Sequence, residues 1–301
     1  MIRSMYSGVS GMKSNQTRMD VIGNNIANVS TTGFKSGRVR FQDMFSQTQS
    51  NAQGPTATGR GGINAQQVGQ GVSIAAIDTL FDDGALQPTG RDLDLAIEGD
   101  GFFIVSEDSD GLVHRYTRDG AFYKDNDGNL VTASGLRVLG YSIAGGAQFT
   151  QDIDQIQDIH YAGGDPVLAP MEIPEIIEVD GQNLKLEASS IDSDGLITAV
   201  YDNGERYYLG RVSLAKFANT GALEKLGGNT YGASSNSGVA QVGNPSEEGF
   251  GIIRQSSLEM SNVDLANEFT EMIITSRAYQ ANSRIITTSD EMLQDLINLK
   301  R

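Results

Sequence analysis

The sequence has no cysteine and no tryptophan, and it has only 6 prolines and 2 histidines in 301 residues. Without cysteine there is no disulfide, no thiolate-bound zinc and no thiol nucleophile. His114 and His160 share no metal-ligand spacing, so each reads as a strand or surface histidine. No apolar run reaches the ~18 residues of a membrane span. Met1-Ile2-Arg3, followed by Ser4, Tyr6, Ser7, Ser10 and Lys13, offers no apolar core for a cleaved signal peptide. The chain is therefore expected to stay in the cytosol or to leave by a route that reads no such signal.

Catalytic and cofactor motifs are missing as well. Gly8-Val9-Ser10-Gly11 is one residue short of a nucleophile elbow. Gly69-Gln70-Gly71-Val72-Ser73-Ile74 lacks both the third glycine of a dinucleotide loop and a Walker lysine. Three Asp-x-(Asp)-Gly segments, at Asp108–Leu112, Asp125–Asn129 and Asp192–Leu196, place glycine fourth rather than sixth, which is wrong for an EF-hand loop. No catalytic residue, cofactor or metal is assigned.

Charge and glycine are what the chain has. Its net charge of −16 repels nucleic-acid phosphate and anionic lipid, so neither is expected as a partner. The first forty residues run the other way, with Arg3, Lys13, Arg18, Lys35, Arg38 and Arg40 against Asp20 alone. This reads as a basic helix face meeting acidic neighbours, the alternative being a transport-recognition or membrane-surface role. The length suits two or three compact units, and 36 glycines with few prolines suit many turns between short strands.

The fold class expected is α+β. Long helices at both ends carry coiled-coil-like seams, a discontinuous and mainly antiparallel β domain lies between them, and a small β unit is inserted in it. At the amino end Met5, Val9, Met12, Met19 and Ile26 fall on a 4–3 series that stops at the turn-forming Asn28–Gly33. At the carboxyl end Asn262 reads as the N-cap, with Asp264 and Glu268 in the early turns. One seam follows Leu265, Phe269, Met272, Tyr279, Ile286, Leu293 and Ile297. A second follows Ile274, Ala278, Ala281, Ile285, Met292 and Leu299 on the nearly opposite side. A two-helix hairpin would leave one seam in water, so the ends read as parts of a multi-helix assembly. The competing reading buries the helix between layers of its own domain.

The boundaries expected are 1–70 with 246–301 for the helical domain, 71–145 with 206–245 for the β domain, and 146–205 for the inserted unit. Residues 44–71 are polar and glycine-rich, which reads as a flexible or extended linker. The Asp-x-(Asp)-Gly segments and Asp202-Asn203-Gly204 read as hairpin turns.

Met19–Lys35, with Asn24, Asn25, Asn28, Gly33 and Phe34, resembles the amino-terminal signature of flagellar rod and hook proteins. Ser261–Ser283, with Asn262, Asp264 and Asn282, resembles their carboxyl-terminal signature. Leu86–Gly90, Leu93–Phe103, Tyr116–Gly120 and Asp127–Thr132 are similar to the start of their β domain. The resemblance covers about half the chain and implies a structural protein rather than an enzyme. It implies a homo-polymer wound around a central export channel, with the terminal helices as an inner tube. It also implies rod and hook-associated axial proteins as partners and secretion through the flagellar type III apparatus. Met1–Met12, Val21–Ile26 and Tyr279–Ser283 lean toward the hook. The small segment 146–205 keeps the distal rod as the alternative. The readings from other classes are a β-rich hydrolase using an acidic pair and an adhesin binding through its outer β unit.

Overall fold

The computed structural model describes residues 2–54, 61–108, 113–141, 168–179, 182–247 and 249–299. The chain divides into two compact units. One comprises Met1–Val29, Ser36–Leu80 and Val263–Arg301, and the other Ser30–Lys35 with Phe81–Asn262.

The first unit is built on helices α1 (Ile2–Ala27) and α2 (Leu265–Asn298). They run antiparallel, since Gly8 faces Ile286 while Asn25 faces Glu268. The helix start differs by two residues from the expected one. Asp264 is the N-cap, its carboxylate accepting from Ala266 N and Asn267 N. Asn262 instead donates its side-chain amide to Asp82 O at 3.3 Å. An ionised cap is favoured here because it also meets the positive end of the helix dipole.

Strands β1 (Gly37–Asp43) and β4 (Val72–Thr79) pair antiparallel from Gly37↔Thr79 to Asp43↔Val72, with a bulge between Arg40 and Phe41. Between them β2 (Ser46–Ser50) pairs with β3 (Gln66–Gly69). The stretch expected as a linker at 44–71 thus holds a two-stranded ribbon. The Ser-Gln-Thr-Gln-Ser run is free of proline and glycine, so it can form ladder bonds although every residue of it is exposed.

The second unit is β-rich, and every strand pair among its described residues is antiparallel. Phe102–Ser106 and Arg137–Tyr141 lie at the middle of its main sheet. Arg206–Val212, Leu196–Tyr201, Gln182–Ile191 and Ile176–Val179 extend it on one side, and His114–Thr117, Thr230–Gly232 and Glu224–Gly227 on the other. The sheet is thus continuous through the described part of the segment expected as an insertion.

Turn chemistry follows the sequence closely. Gly195 (φ +74°) closes Asp192–Gly195, its N–H bonding Asp192 O at 2.9 Å. Gly128 (φ +90°) does the same for Asp125, and Gly204 (φ +76°) for Tyr201. Residues 109–112 of the third Asp-x-Asp-Gly segment lie outside the described residues, as does His160. His114 opens a strand and is exposed.

Phe102–Ser106 shows why the sheet is central. Phe103 and Val105 enter one apolar cluster with Leu95, Phe122 and Val138, while Phe102 and Ile104 enter another with Tyr116, Phe217 and Tyr231. A strand buried on both faces reads as a continuous apolar run, which is the pattern of Phe102-Phe103-Ile104-Val105. Edge-to-face pairs of Phe102 with Phe81, Phe217 and Tyr231 span 5.4–6.0 Å.

Gly120 faces the backbone of Leu95, whose N–H bonds Gly120 O at 3.0 Å, and a Cβ there would stand only 1.7 Å from Leu95 O. Gly120→Ala is therefore expected to destabilise the protein by about 2 kcal/mol or more, read from the denaturant midpoint.

Candidate functional site

In the helical unit, α1 turns small and polar residues toward α2. Gly8, Gly11, Ser14, Ile22 and Asn25 are its buried positions, and Thr275 and Ser289 are those of α2. A Cβ on Gly11 would lie 2.7 Å from Asn282 Nδ2, and one on Gly8 would lie 3.3 Å from Ile286 Cγ1. Small side chains let the two backbones approach closely, and Asn282 fills the notch that the glycines leave.

This differs from the heptad reading. Met5, Met12, Met19 and Ile26 are only half-buried and Val9 is exposed. On α2, Met272, Tyr279, Ile286 and Leu293 are half-buried, while Leu265 and Phe269 are exposed. The second seam is open at Ile274, Ile285 and Met292. At about 100° per residue, Thr275, Asn282 and Ser289 lie between the two seams, roughly 90° from Ile274 and Met292. The intrachain contact thus uses the face between the seams and leaves both on its flanks. A count of apolar residues could not find it, because glycine and serine carry no apolar signal. Ile273, 62% exposed and not singled out from the sequence, extends the open apolar surface beside Phe269 at 49%.

The polar contacts cluster at the end of α1. Arg18 forms an ion pair with Glu271. Asn25 donates to Glu268 Oε1 at 3.0 Å and to Gly37 O at 2.9 Å, and its Oδ1 accepts from Gly37 N at 2.9 Å. One amide side chain thereby fixes the start of β1 on both its donor and its acceptor and also reaches α2. Asn28 donates to Asn24 O and Oδ1 in the last turn. Burial raises the Glu268 carboxyl above its usual 4.5, and the Asn25 hydrogen bond opposes this.

In the β-rich unit, Ser30–Lys35 meets a buried ionic cluster. Gly33, at φ +64°, donates its N–H to Glu259 O at 2.8 Å. A Cβ on it would come within 2.7 Å of Asp119 N and 2.8 Å of Arg118 C, so only glycine fits. The Phe34 ring lies 5.1 Å from Lys225 Nζ. Lys35 is fully buried, and its ammonium donates to Glu259 Oε1 at 2.6 Å and to Asp82 O at 2.7 Å. Glu259 Oε1 also accepts from Gly84 N at 2.9 Å. Its Oε2 lies 3.3 Å from Arg118 Nη1, and Arg118 Nη2 donates to Gly99 O at 2.8 Å. The Arg118 guanidinium lies over Phe102 at 5.4 Å.

Lys35 and Arg118 fall in separate sequence motifs, and Glu259 lies in neither. A partner 224 residues away leaves no local sign. Burial, the largest influence, pulls the Lys35 ammonium below its usual 10.5, and Glu259 opposes it. Between the lowered value and 10.5 the unfolded chain binds more protons, so this group's contribution to stability rises as pH rises through that window.

Among the described residues no group of three or more His, Asp or Glu side chains could hold a metal ion. No helix among them is long and apolar enough to cross a membrane.

Two measurements check these contacts. Lys35→Met should cost about 3–5 kcal/mol, because Glu259 loses its main buried partner, and a double-mutant cycle with Glu259→Met should show the two losses to be coupled rather than additive. Folded Glu268 holds its proton above pH 4.5, so its contribution to stability falls as pH rises through its raised value. Glu268→Gln should remove that slope from urea midpoints taken between pH 4 and 7 while keeping an acceptor for Asn25.

Comparison with known proteins places these features in a family. The model described as flagella basal body rod protein matches residues 5–35, which hold Asn25 and the Gly33–Lys35 turn. The flagellar hook protein FlgE/F/G D1 domain matches 96–199, and the flagellar basal body rod FlgEFG protein C-terminal model matches 254–299. The flagellar basal-body rod protein FlgG of Bacillus subtilis is 46% identical over 302 positions, with all of both chains covered. FlgG of Borreliella burgdorferi is 35% identical over 302 positions, again with all of both chains covered. The flagellar hook protein FlgE of Borreliella burgdorferi is 33% identical over 445 positions, also with full coverage of both. A crystal structure of Helicobacter pylori flagellar hook protein FlgE2 matches with a TM-score of 0.40 at 12% identity, covering 58% of this chain and 100% of that one. With relatives this similar along its whole length, the chain belongs to the flagellar hook and basal-body rod protein family.

Proposed function

We propose that this chain is a structural subunit of the flagellar axis that polymerises as the distal rod, the shaft between motor and hook. The observation that carries the rod reading is length. FlgG of Bacillus subtilis aligns end to end over 302 positions, whereas hook proteins of Borreliella burgdorferi and Treponema pallidum need alignments of 445 and 467 positions. The hook relatives therefore carry a long stretch that this chain lacks. The hook-like residues at Met1–Met12 and Tyr279–Ser283 weigh less than this match in overall length.

The open apolar seams support a polymer. Leu265, Phe269, Ile273, Ile274, Ile285 and Met292 stay exposed on a helix whose third face already meets α1. Fully burying such a side chain is worth roughly 1.5–3 kcal/mol, and covering the exposed half of each still sums over six residues to a strong drive to associate. In this reading neighbouring subunits' helices lie along both seams, giving the coiled-coil-like inner tube. The β-rich unit is a spacer with no catalytic task, and export uses the flagellar type III route. Nucleic acid and cofactors have no part in it.

Deleting the gene in a motile bacterium that carries it and imaging purified basal bodies tests the assignment. A rod stopped short of its distal part is expected. A complete rod without a hook would instead make this the hook subunit, and normal flagella would refute an essential axial role. Replacing Phe269, Ile273 and Ile274 together by serine should leave a folded monomer by circular dichroism and abolish polymers, and polymers that persisted would remove the seams from the interface.

A further inference from the structure

Ser30–Lys35 belongs to the β-rich unit, although the chain on either side of it belongs to the helical one. No residue of this strap lies in a strand. It is held by individual bonds. Gly33 N donates to Glu259 O at 2.8 Å, Thr32 Oγ1 to Asp119 Oδ1 at 2.9 Å, Asn229 Nδ2 to Thr32 O at 3.0 Å and Lys225 Nζ to Lys35 O at 3.2 Å. The buried Lys35 ammonium adds its bonds to Glu259 and to Asp82 O. Those two partners sit on passages of chain distant in sequence, so one side chain pins three passages at a single point.

We propose that the strap is a latch. Residues 30–35 seat and unseat from the β-rich unit as one piece while its sheet stays folded, and the Lys35 ammonium is the bolt. Three observations carry this. The strap shares no ladder hydrogen bond with the sheet, so releasing it breaks none of the sheet's own pairing. The bolt is all-or-none, because a buried ammonium is tolerated only with its carboxylate and carbonyl partners in place, and a half-seated strap would hold a desolvated charge without them. Finally, the vacant site is provided for. With Lys35 withdrawn, Glu259 keeps Gly84 N at 2.9 Å and Arg118 Nη1 at 3.3 Å, so its carboxylate is still met by a donor and a cation. Local opening below the global unfolding free energy is the expected behaviour of such a segment.

Hydrogen exchange on the full chain, read residue by residue by NMR, tests the latch. The Gly33 amide should exchange at least ~10-fold faster than the amides of Phe103 and Val105 in the central strand. Lys35→Met should speed Gly33 by ~100-fold or more and the strand amides by no more than the same factor, so that Gly33 stays the faster of the two. Gly33 exchanging in step with Phe103 and Val105 in both proteins would overturn the proposal, because strap and sheet would then open only together. If Lys35→Met does not fold, Thr32→Val removes only the Asp119 bond. Gly33 should then speed up by about fivefold, the effect of one ordinary hydrogen bond, while staying faster than the strand amides. Loss of the gap between Gly33 and the strand amides, or no change in Gly33, would again overturn the latch.

Discussion

A carboxylate buried out of reach of water has to be met by donors and positive charge, and Glu259 imposes that requirement on this protein. Its two oxygens are served by Lys35, Gly84 N and Arg118, and its backbone carbonyl by Gly33 N. These partners come from three places in the chain, and Glu259 itself sits at a fourth. The demand of one buried group thus gathers the turn after α1, the segment after β4, the loop carrying Arg118 and the approach to α2. Ion pairs of this kind add little net stability, because desolvation offsets the attraction, but they penalise every arrangement that leaves a charge alone. The cluster therefore selects which passages meet, and Gly33 completes the selection by fitting against the Arg118–Asp119 backbone where no other residue would.

The helical unit follows a different rule. Its helices meet largely through glycine, serine, threonine and asparagine, with Ile22 and Ile286 as apolar exceptions, so close backbone approach takes much of the place of apolar interlocking in the intrachain contact. The large apolar side chains are thereby left over on both flanks. A subunit that spent its methionines and isoleucines on its own hairpin would have little left for neighbours. Here the hairpin is made with small residues and Asn25–Glu268 and Arg18–Glu271 contacts, and Phe269, Ile273, Ile274 and Met292 remain available. That division of labour fits a chain that belongs to a family of polymerising axial proteins.

The β-rich unit shows the usual logic of a sheet covered on both faces. Phe102-Phe103-Ile104-Val105 sends alternate side chains into two separate clusters, and the aromatic rings around Phe102 reach Phe81, Phe217 and Tyr231. Arg118 links this core to the ionic cluster, since its guanidinium lies over Phe102 while its amino groups serve Glu259 and Gly99 O. Apolar packing and charge pairing are therefore continuous through one residue.

The sequence alone determined the features that depend on neighbours along the chain. Helix α1 ends where Asn28–Gly33 supplies turn formers, α2 runs without glycine or proline, and Gly128, Gly195 and Gly204 mark tight turns, because backbone preference and capping act over a few residues. The family was legible for the same reason, as its signatures are contiguous. Tertiary structure decided the rest. Which face of α2 meets α1 depended on close approach at Gly8 and Gly11, which no apolar count registers. The N-cap fell to Asp264 because Asn262 was drawn to the carbonyl of Asp82. The polar run at Ser46–Ser50 became a strand because Gln66–Gly69 was there to pair with it. Lys35, Arg118 and Glu259 became one cluster only after folding, since a charge buried in a core is satisfied by proximity in space, and nothing in the order of residues records which distant partner will supply it.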